Sequence, residues 1–280
     1  MSQASASQDV SPSGITLCGC GWLGKHFARS ASSMKILGTT RSENNVPELR
    51  DLGVSPFLYA LGDDPLELAT QSGNNAVILN IPPGRRKTLD ESFVTNMKQL
   101  MSSLLNAGAS KLIFISTTSV FGDAEGELDT TAAVSPVTDS GKAHCELEKF
   151  LIEMERPNIH VLRLSGLVGP DRHPAKYLAG KERNKGEQAV NLVHIDDVVS
   201  ALQAILACGS NQPGALMQLC AINHPRRDEY YTWACEKLGL EAPVFTANGS
   251  KGTGGKKILS EMYWNMLGLK PKFASPYDML

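Results

Sequence analysis

The sequence predicts an α/β protein with a doubly wound parallel sheet and a smaller C-terminal region, and three observations lead there. A short apolar run from Ile15 feeds into Gly19-Cys20-Gly21-Trp22-Leu23-Gly24, which has the spacing G-x-G-x-x-G. A helix-compatible segment, Trp22 to Ser32, and a second apolar run, Met34 to Gly38, follow it, so the glycines sit inside a β-α-β pattern. Further on, Ala76 to Ile81 is a continuous apolar run of the kind buried on both faces of a parallel sheet.

The glycines define the chemistry expected of that loop. Gly19 permits the tight turn out of the strand, Gly21 lets backbone approach a pyrophosphate, and Gly24 lets the helix pack on the sheet. The helix aims its N-terminal N–H groups at the phosphates, and its dipole favours the anion without any side chain. This predicts a Rossmann-type dinucleotide site with Gly19, Gly21, Trp22, Leu23 and Gly24 as its phosphate loop.

The second strand ends at Thr39-Thr40-Arg41-Ser42. Chains that bind NAD carry an acid about here for the ribose 2′-hydroxyl, whereas an arginine flanked by hydroxyls suits a 2′-phosphate. Thr40, Arg41 and Ser42 therefore predict NADP over NAD. A third strand, Ser55 to Tyr59, leads to Gly62-Asp63-Asp64-Pro65. There Asp63 either reaches an adenine amino group or joins Asp64 in capping the helix that begins at Pro65. Strand four ends in Ile81-Pro82-Pro83-Gly84, a rigid turn at the carboxyl edge where open α/β sheets hold ligands, and Ile81 and Pro82 join the expected cofactor contacts.

Phe93, Met97, Leu100, Met101 and Leu104 recur at helical spacing, with Gly108 set to end the helix. Strand five, Lys111 to Ile115, then runs into Ser116-Thr117-Thr118-Ser119-Val120-Phe121-Gly122. Its four successive hydroxyls stand close to where a nicotinamide would lie, so the group can hydrogen-bond a substrate carbonyl or hydroxyl, and Ser116 joins the expected cofactor contacts.

Composition narrows the partners. A net charge of −2 offers no broad electrostatic case for nucleic acid or an anionic membrane surface, and no apolar run is long enough to cross a bilayer. The six cysteines form no C-x-x-C pair and no zinc spacing, so no metal is expected, and their setting in apolar runs predicts a reducing, cytoplasmic location. Residues 1–13 read as a disordered tail without the apolar core of a signal peptide. The nucleotide-binding domain is expected over 14–168, and a smaller C-terminal region, with elements returning to the sheet, over 169–280.

Four segments in matching order resemble the extended short-chain dehydrogenase/reductase family, which includes sugar-nucleotide epimerases and dehydratases. They are Gly19 to Gly24; Ser116 to Gly122 against S-[ST]-x-x-V-Y-G; Leu162 to Pro170 against L-R-x-x-x-x-Y-G-P; and Val193 to Val198 against the H-V-D-D-V segment. The likeness runs from Gly14 nearly to the end and is greatest to a small atypical bacterial branch of NAD(P)-dependent epimerase/dehydratase-like proteins. It implies hydride transfer between nicotinamide C4 and an alcohol or ketone carbon, with a nucleotide sugar as candidate substrate. It also implies a homodimer through the helices at 91–107 and 140–154.

Through Val120-Phe121-Gly122 the resemblance puts the family's catalytic Ser/Thr on Thr117. The family's Tyr-x-x-x-Lys pair is missing: aligning its Y-G step on Ser140-Gly141 leaves Ser140 at the tyrosine and His144 at the lysine. A serine hydroxyl is too weak an acid to replace the phenol directly, whereas His144 titrates near neutrality and shares a helix side with Ser140. Tyr177, with His173 nearby, lies in the segment leaving strand six and is the expected replacement phenol.

Lys176, Lys181, Arg183 and Lys185 either hold a diphosphate or form a solvated loop. Residues 248–257 read as a glycine and lysine loop suited to anions, without the spacing of a nucleotide-hydrolase loop. His194 to Asp197 read as structural, fixing the second domain against the first, with Asp196 or Asp197 capping the next helix. Two functional readings stay open. One is an NADP(H)-dependent oxidoreductase or epimerase acting on an alcohol or carbonyl. The other is a non-catalytic NADP-binding sensor that has lost its acid/base pair.

Overall fold

A computed structural model describes residues 13–84, 92–208, 215–246 and 254–280. Most of the tail and residues 248–253 of the glycine and lysine loop lie outside the described residues. The chain divides into two compact units, one formed by Met1–Phe114, Lys149–Val161 and Leu206–Ala215, the other by Ile115–Glu148, Leu162–Ile205 and Leu216–Leu280.

The first unit opens with β1 (Ile15–Cys18), α1 (Trp22–Ser30), β2 (Ile36–Thr40), α2 (Val46–Asp51) and β3 (Val54–Leu58). Next come α3 (Leu66–Ser72), β4 (Ala76–Leu79), α4 (Ser92–Asn106) and the start of β5 (Lys111–Thr117). Helix α1 stops at Ser30, short of the expected Ser32, because the Ser30 hydroxyl donates to the Phe27 carbonyl at 2.7 Å and takes a place in the helical ladder. Helix α3 begins at Leu66, whose N–H donates to Asp64 Oδ1 at 3.0 Å, so Asp64 does cap it. Phe93, Met97, Leu100, Met101 and Leu104 are buried along one side of α4, each contributing about 1.5–3 kcal/mol by leaving water. Gly108, at φ +98°, then breaks the chain direction.

The second unit carries β6 (Gly126–Leu128), most of α5 (Asp139–Ile152), the end of β7 (Ile159–Leu164), β8 (Gly166–Val168), α6 (Ala175–Leu178), β9 (Glu182–Arg183) and β10 (Leu192–His194). It closes with most of α7 (Ile195–Ala207), then β11 (Leu216–Leu219), α8 (Arg227–Lys237), β12 (Val244–Phe245), β13 (Lys256–Ile258) and α9 (Glu261–Met266). One apolar cluster gathers Val168, Val190, Leu192, Tyr230 and Met279; another gathers Val120, Phe121, Leu128, Cys220 and Ile258. Residues 256–258, read from sequence as the edge of a loop, form a strand because β13 pairs in parallel with β6, from Gly126↔Lys256 to Leu128↔Ile258.

Seven strands make the central sheet, in the order β11-β7-β5-β4-β1-β2-β3. The order reverses between β1 and β4, which pair in parallel from Ile15↔Ala76 to Cys18↔Leu79, and open α/β sheets bind ligands at such a switch point. The doubly wound parallel sheet is therefore the one the sequence predicts.

The expected cap of α7 is corrected. Its first turn is held by His194, whose Nδ1 accepts the Asp196 N–H at 3.2 Å, while both Asp197 carboxylate oxygens accept backbone N–H groups of Lys272 and Phe273. Asp197 thus ties the C-terminal segment to α7, both within the second unit. No helix among the described residues is long and apolar enough to cross a membrane.

Candidate functional site

In the first unit the glycine loop is built by its neighbours. Gly19 N–H donates to the Thr39 hydroxyl at 2.7 Å and Cys20 N–H to the Thr39 carbonyl at 3.0 Å, so the end of β2 holds the loop against the end of β1. Gly19 sits at φ +82°, and a Cβ there would lie 2.3 Å from the Asn80 carbonyl oxygen. Gly21 differs: a Cβ there would meet nothing nearer than 3.9 Å, so the space beside it is open to a ligand. Gly24 answers a more local need than packing on the sheet, since a Cβ would come within 3.2 Å of Cys20 Sγ.

Gly21 is also the N-cap of α1 and supplies no side-chain cap, and the helix's first turn contains no acidic residue. Its partial positive charge is therefore left for an outside anion. Leu23 is buried beneath the loop, and the Trp22 ring packs against His26 at 4.7 Å between centroids. An open Gly21 beside an uncapped helix end fits a pyrophosphate.

The far end of β2 forms a tight turn. The Thr40 hydroxyl donates to the Ser42 carbonyl at 3.3 Å and accepts from the Asn45 amide at 3.1 Å, so it is committed to the backbone. Arg41 is exposed on that turn and has no ion-pair partner among the described residues. Asp63 Oδ2 accepts the Ala60 N–H at 2.7 Å, which leaves Oδ1 as its outward acceptor. Ile81 lies beside Gly19, half-buried, and Pro82 is exposed.

Within the second unit, β5 delivers Thr117 to a helical turn over Thr118–Phe121. Thr117 Oγ1 accepts the Ser119 N–H at 3.2 Å and lies 3.0 Å from the Ser119 hydroxyl. Gly122 closes the turn at φ +55°, where a Cβ would collide with the Ser135 carbonyl at 2.0 Å. Helix α5 packs on the same turn through Gly141, whose Cβ would lie 3.0 Å from the Ser119 carbonyl. The start of α5, which carries Ser140 and His144, thus packs against the turn that Thr117 opens.

His144 is buried at 8% exposure and its Nδ1 lies 2.8 Å from the Ser140 carbonyl oxygen. A carbonyl only accepts, so Nδ1 carries the proton and Nε2 carries the lone pair. Burial lowers the His144 pKa, opposed by the Ser140 carbonyl and by Glu148, and the ring is neutral at neutral pH.

Ser116 turns away from this group. Its hydroxyl donates to Glu148, which in turn receives Arg163 Nε and, at 2.7 Å, Arg163 Nη2. All three residues are at most 4% exposed, and the Arg163 guanidinium lies 5.0 Å from the centre of the Phe121 ring. Tyr177 lies on α6 and is 64% exposed. His173 is spent internally: its Nδ1 accepts the Ala175 N–H, so Nε2 donates to Tyr230, whose hydroxyl donates to the Pro276 carbonyl.

Comparisons with known proteins bear on the family and the fold. Residues 19–219 match the NAD dependent epimerase/dehydratase family. The chain belongs to that family. It is 33% identical over 271 residues to Protein YeeZ of Escherichia coli strain K12, covering 95% of this chain and 98% of that protein. Among solved structures it is similar to UDP-glucuronic acid 4-epimerase from Bacillus cereus in complex with NAD, with a TM-score of 0.77 at 18% identity over 95% of each chain. It is equally similar to MoeE5 in complex with UDP-glucose and NAD, with a TM-score of 0.77 at 17% identity over 95% of each chain. At those identities the likeness speaks for the fold.

For this member of the NAD dependent epimerase/dehydratase family, three functional neighbours escaped the sequence reading. Thr39 looks like any strand-end hydroxyl until its partner Gly19 is known. Glu148 had a faint signal, a charge four residues after His144 on the helix side that carries Leu147 and Leu151. Lys256 sits in a lysine pair with nothing local to separate it from Lys257.

Proposed function

We propose that this chain is an NADP(H)-dependent, epimerase- or dehydratase-like oxidoreductase acting at an alcohol or carbonyl carbon of a nucleotide sugar. The observation that carries the reading is the uncapped positive end of α1 behind an open Gly21, combined with Arg41 at the end of β2 where an acid would select NAD. The nucleotide-sugar class is supported by the UDP-sugars named with its structural relatives.

Gly19, Gly21, Trp22, Leu23 and Gly24 would hold the pyrophosphate, Arg41 and Ser42 the 2′-phosphate with Thr40 shaping their turn from within, Asp63 the adenine amino group, and Ile81 and Pro82 the adjoining length; Ser116, whose hydroxyl is given to Glu148, would act from beneath as a support of Thr117. A nicotinamide dinucleotide bound there supplies hydride transfer at ring carbon C4. On this reading the Thr117 hydroxyl orients the substrate oxygen. His144 accepts its proton at Nε2, with the Ser140 carbonyl fixing the ring tautomer. We assign the phenol role to Tyr177. Of the six tyrosines, four are buried, and Tyr277 is stacked against Tyr230 and Trp233. Free cysteines, mostly buried, support the cytoplasmic location, and pairing of α4 and α5 with those of a second copy is the homodimer this reading carries.

A second reading has its own observation, Ser140 in the tyrosine's place, and makes the chain a non-catalytic NADP sensor. One experiment separates the two. NADPH and NADH are titrated onto wild type and Arg41→Ala, and NADPH oxidation or sugar conversion is then followed across a panel of UDP-sugars. Arg41→Ala should weaken NADPH about tenfold and leave NADH alone, the value of one exposed charged hydrogen-bonding contact. Equal loss for both cofactors refutes the 2′-phosphate assignment. Turnover abolished by Thr117→Ala and reduced by Tyr177→Phe supports the enzyme; tight binding with no conversion supports the sensor.

A further inference from the structure

The turn that carries Thr117 is gripped from a distant part of the sequence. Lys256, half-buried on β13, directs its ammonium group back to that turn and donates to the Thr118 carbonyl at 3.2 Å and to the Gly122 carbonyl at 2.8 Å. These oxygens lie at opposite ends of the Thr118–Phe121 turn, so one cation spans it. The strand itself is anchored independently of that side chain. The Lys256 carbonyl accepts from the Asn191 amide at 2.8 Å, and Ile258 N–H donates to Asn191 Oδ1 at 2.9 Å. Burial lowers the Lys256 pKa from its ordinary value, and the negative charge of Asp123, just past the turn, opposes that shift.

We propose that Lys256 is a positioning residue for the Thr117 hydroxyl, pinning both ends of its turn from β13. A turn of four residues is short, and besides its own ladder it is held by Gly122 N–H to the Ser119 carbonyl at 3.0 Å, Ser119 N–H to Thr117 Oγ1 at 3.2 Å and, near its middle, Ser135 N–H to the Val120 carbonyl at 2.9 Å. Without an external clamp it frays readily, because a short helical turn gains little per ordered residue. A basic side chain with several N–H donors satisfies the geometry, since a lysine ammonium or an arginine guanidinium can each donate to two carbonyls at once. Helix α5, which faces the same turn through Gly141, carries the neutral His144 where the family pattern has a lysine. Lys256 bonds this turn through its carbonyls, while the Arg163 guanidinium meets it at the Phe121 ring. The role rests on Thr117 handling the substrate oxygen, as proposed above.

The test uses the full chain with Lys256→Met and Lys256→Arg. Hydrogen exchange over residues 117–124 is measured on the free protein, and kcat and KM are measured with NADPH and the UDP-sugar that wild type converts. Lys256→Met should speed exchange of the 118–122 amides by about tenfold, the loss of one charge-assisted bond. It should lower kcat by about tenfold to a hundredfold with KM within about twofold, because a shift near 1 Å at the reacting group acts on the chemical step. The melting temperature should hold, since Asn191 still anchors β13, and Lys256→Arg should restore both protection and kcat. Wild-type protection in Lys256→Met overturns the proposal, as does a kcat loss that Lys256→Arg leaves unrepaired. If wild type converts no sugar in the panel, the enzymatic reading fails separately, and unchanged exchange still refutes the clamp.

Discussion

Replacing Gly19 and Gly21 by alanine, one at a time, separates folding from cofactor binding inside a single motif. At Gly19 the backbone is left-handed, φ +82°, and the added methyl would lie 2.3 Å from the Asn80 carbonyl. Left-handed backbone costs a residue with a Cβ about 1–2 kcal/mol, and forcing β4's exit to move adds about 1–3 kcal/mol, for a loss of about 2–5 kcal/mol. At Gly21 the methyl meets no atom nearer than 3.9 Å. Its structural cost is confined to a poorer helix N-cap, about 1 kcal/mol at most. Yet that methyl fills the space through which a pyrophosphate would reach the α1 N–H groups, so NADPH affinity should fall by at least about tenfold, or 1.4 kcal/mol. Urea unfolding gives the first quantity and NADPH fluorescence titration the second. If Gly19→Ala were as stable as wild type, or Gly21→Ala bound NADPH normally, the physical account of this loop would be wrong.

Two further outcomes follow from buried charge. Glu148→Gln removes the counter-charge of Arg163, which is 3% exposed, and should cost about 3–5 kcal/mol of unfolding free energy, whereas Glu148→Leu with Arg163→Met together should recover most of it; a Glu148→Gln loss below about 1 kcal/mol in urea titration refutes the pair's role. His160 and His173 are 5% and 3% exposed, and burial pushes both down from the ordinary 6.5 to about 4. The unfolded chain therefore takes up their protons first, so their contribution is complete above pH 6.5 and is lost as pH falls toward 4. By pH 5 each should have given up about 2 kcal/mol, and equal urea midpoints at pH 7.5 and pH 5 would contradict it.

What the sequence made legible is what local chemistry controls. Gly19 announces the loop because its positive φ and close approach to Asn80 exclude a side chain, Gly21 because its space is open to a ligand rather than claimed by the protein, and the apolar run beginning at Ala76 announces a strand buried on both faces. The stripe from Phe93 to Leu104 does the same for a helix. What stayed hidden depends on partners far along the chain. Strands of two or three residues such as β9, β12 and β13 are too short to carry an alternating pattern, and exist because a remote strand pairs with each. Asp197 looks like a helix cap by position, but residues 272–273 reach its carboxylate first. At Gly24 the motif suggested contact with the sheet, while the nearest atom to its missing Cβ belongs to Cys20, four residues back.

The exchange of Tyr and Lys for Ser140 and His144 changes where charge can reside. In the family pattern a lysine on the helix helps lower a tyrosine's pKa, so cation and acid sit side by side. Here the corresponding helix offers a neutral imidazole whose Nδ1 proton is spent on the Ser140 carbonyl, and burial resists its protonation. Such a ring can accept a proton at Nε2 but cannot acidify a neighbouring hydroxyl by its charge. Positive charge reaches the Thr117 turn from other elements, from Arg163 on β7 at the Phe121 ring and from Lys256 on β13 at the Thr118 and Gly122 carbonyls. The consequence is a division of labour. On the reading proposed above, the helix would hold the proton acceptor, the C-terminal strand a positive charge, and the turn between them would present Thr117. Exchanging the pair back, with Ser140→Tyr and His144→Lys, would add a further cation beside a turn that already binds Lys256, so that double variant should convert UDP-sugars with NADPH no faster than wild type, and a faster rate would refute the argument.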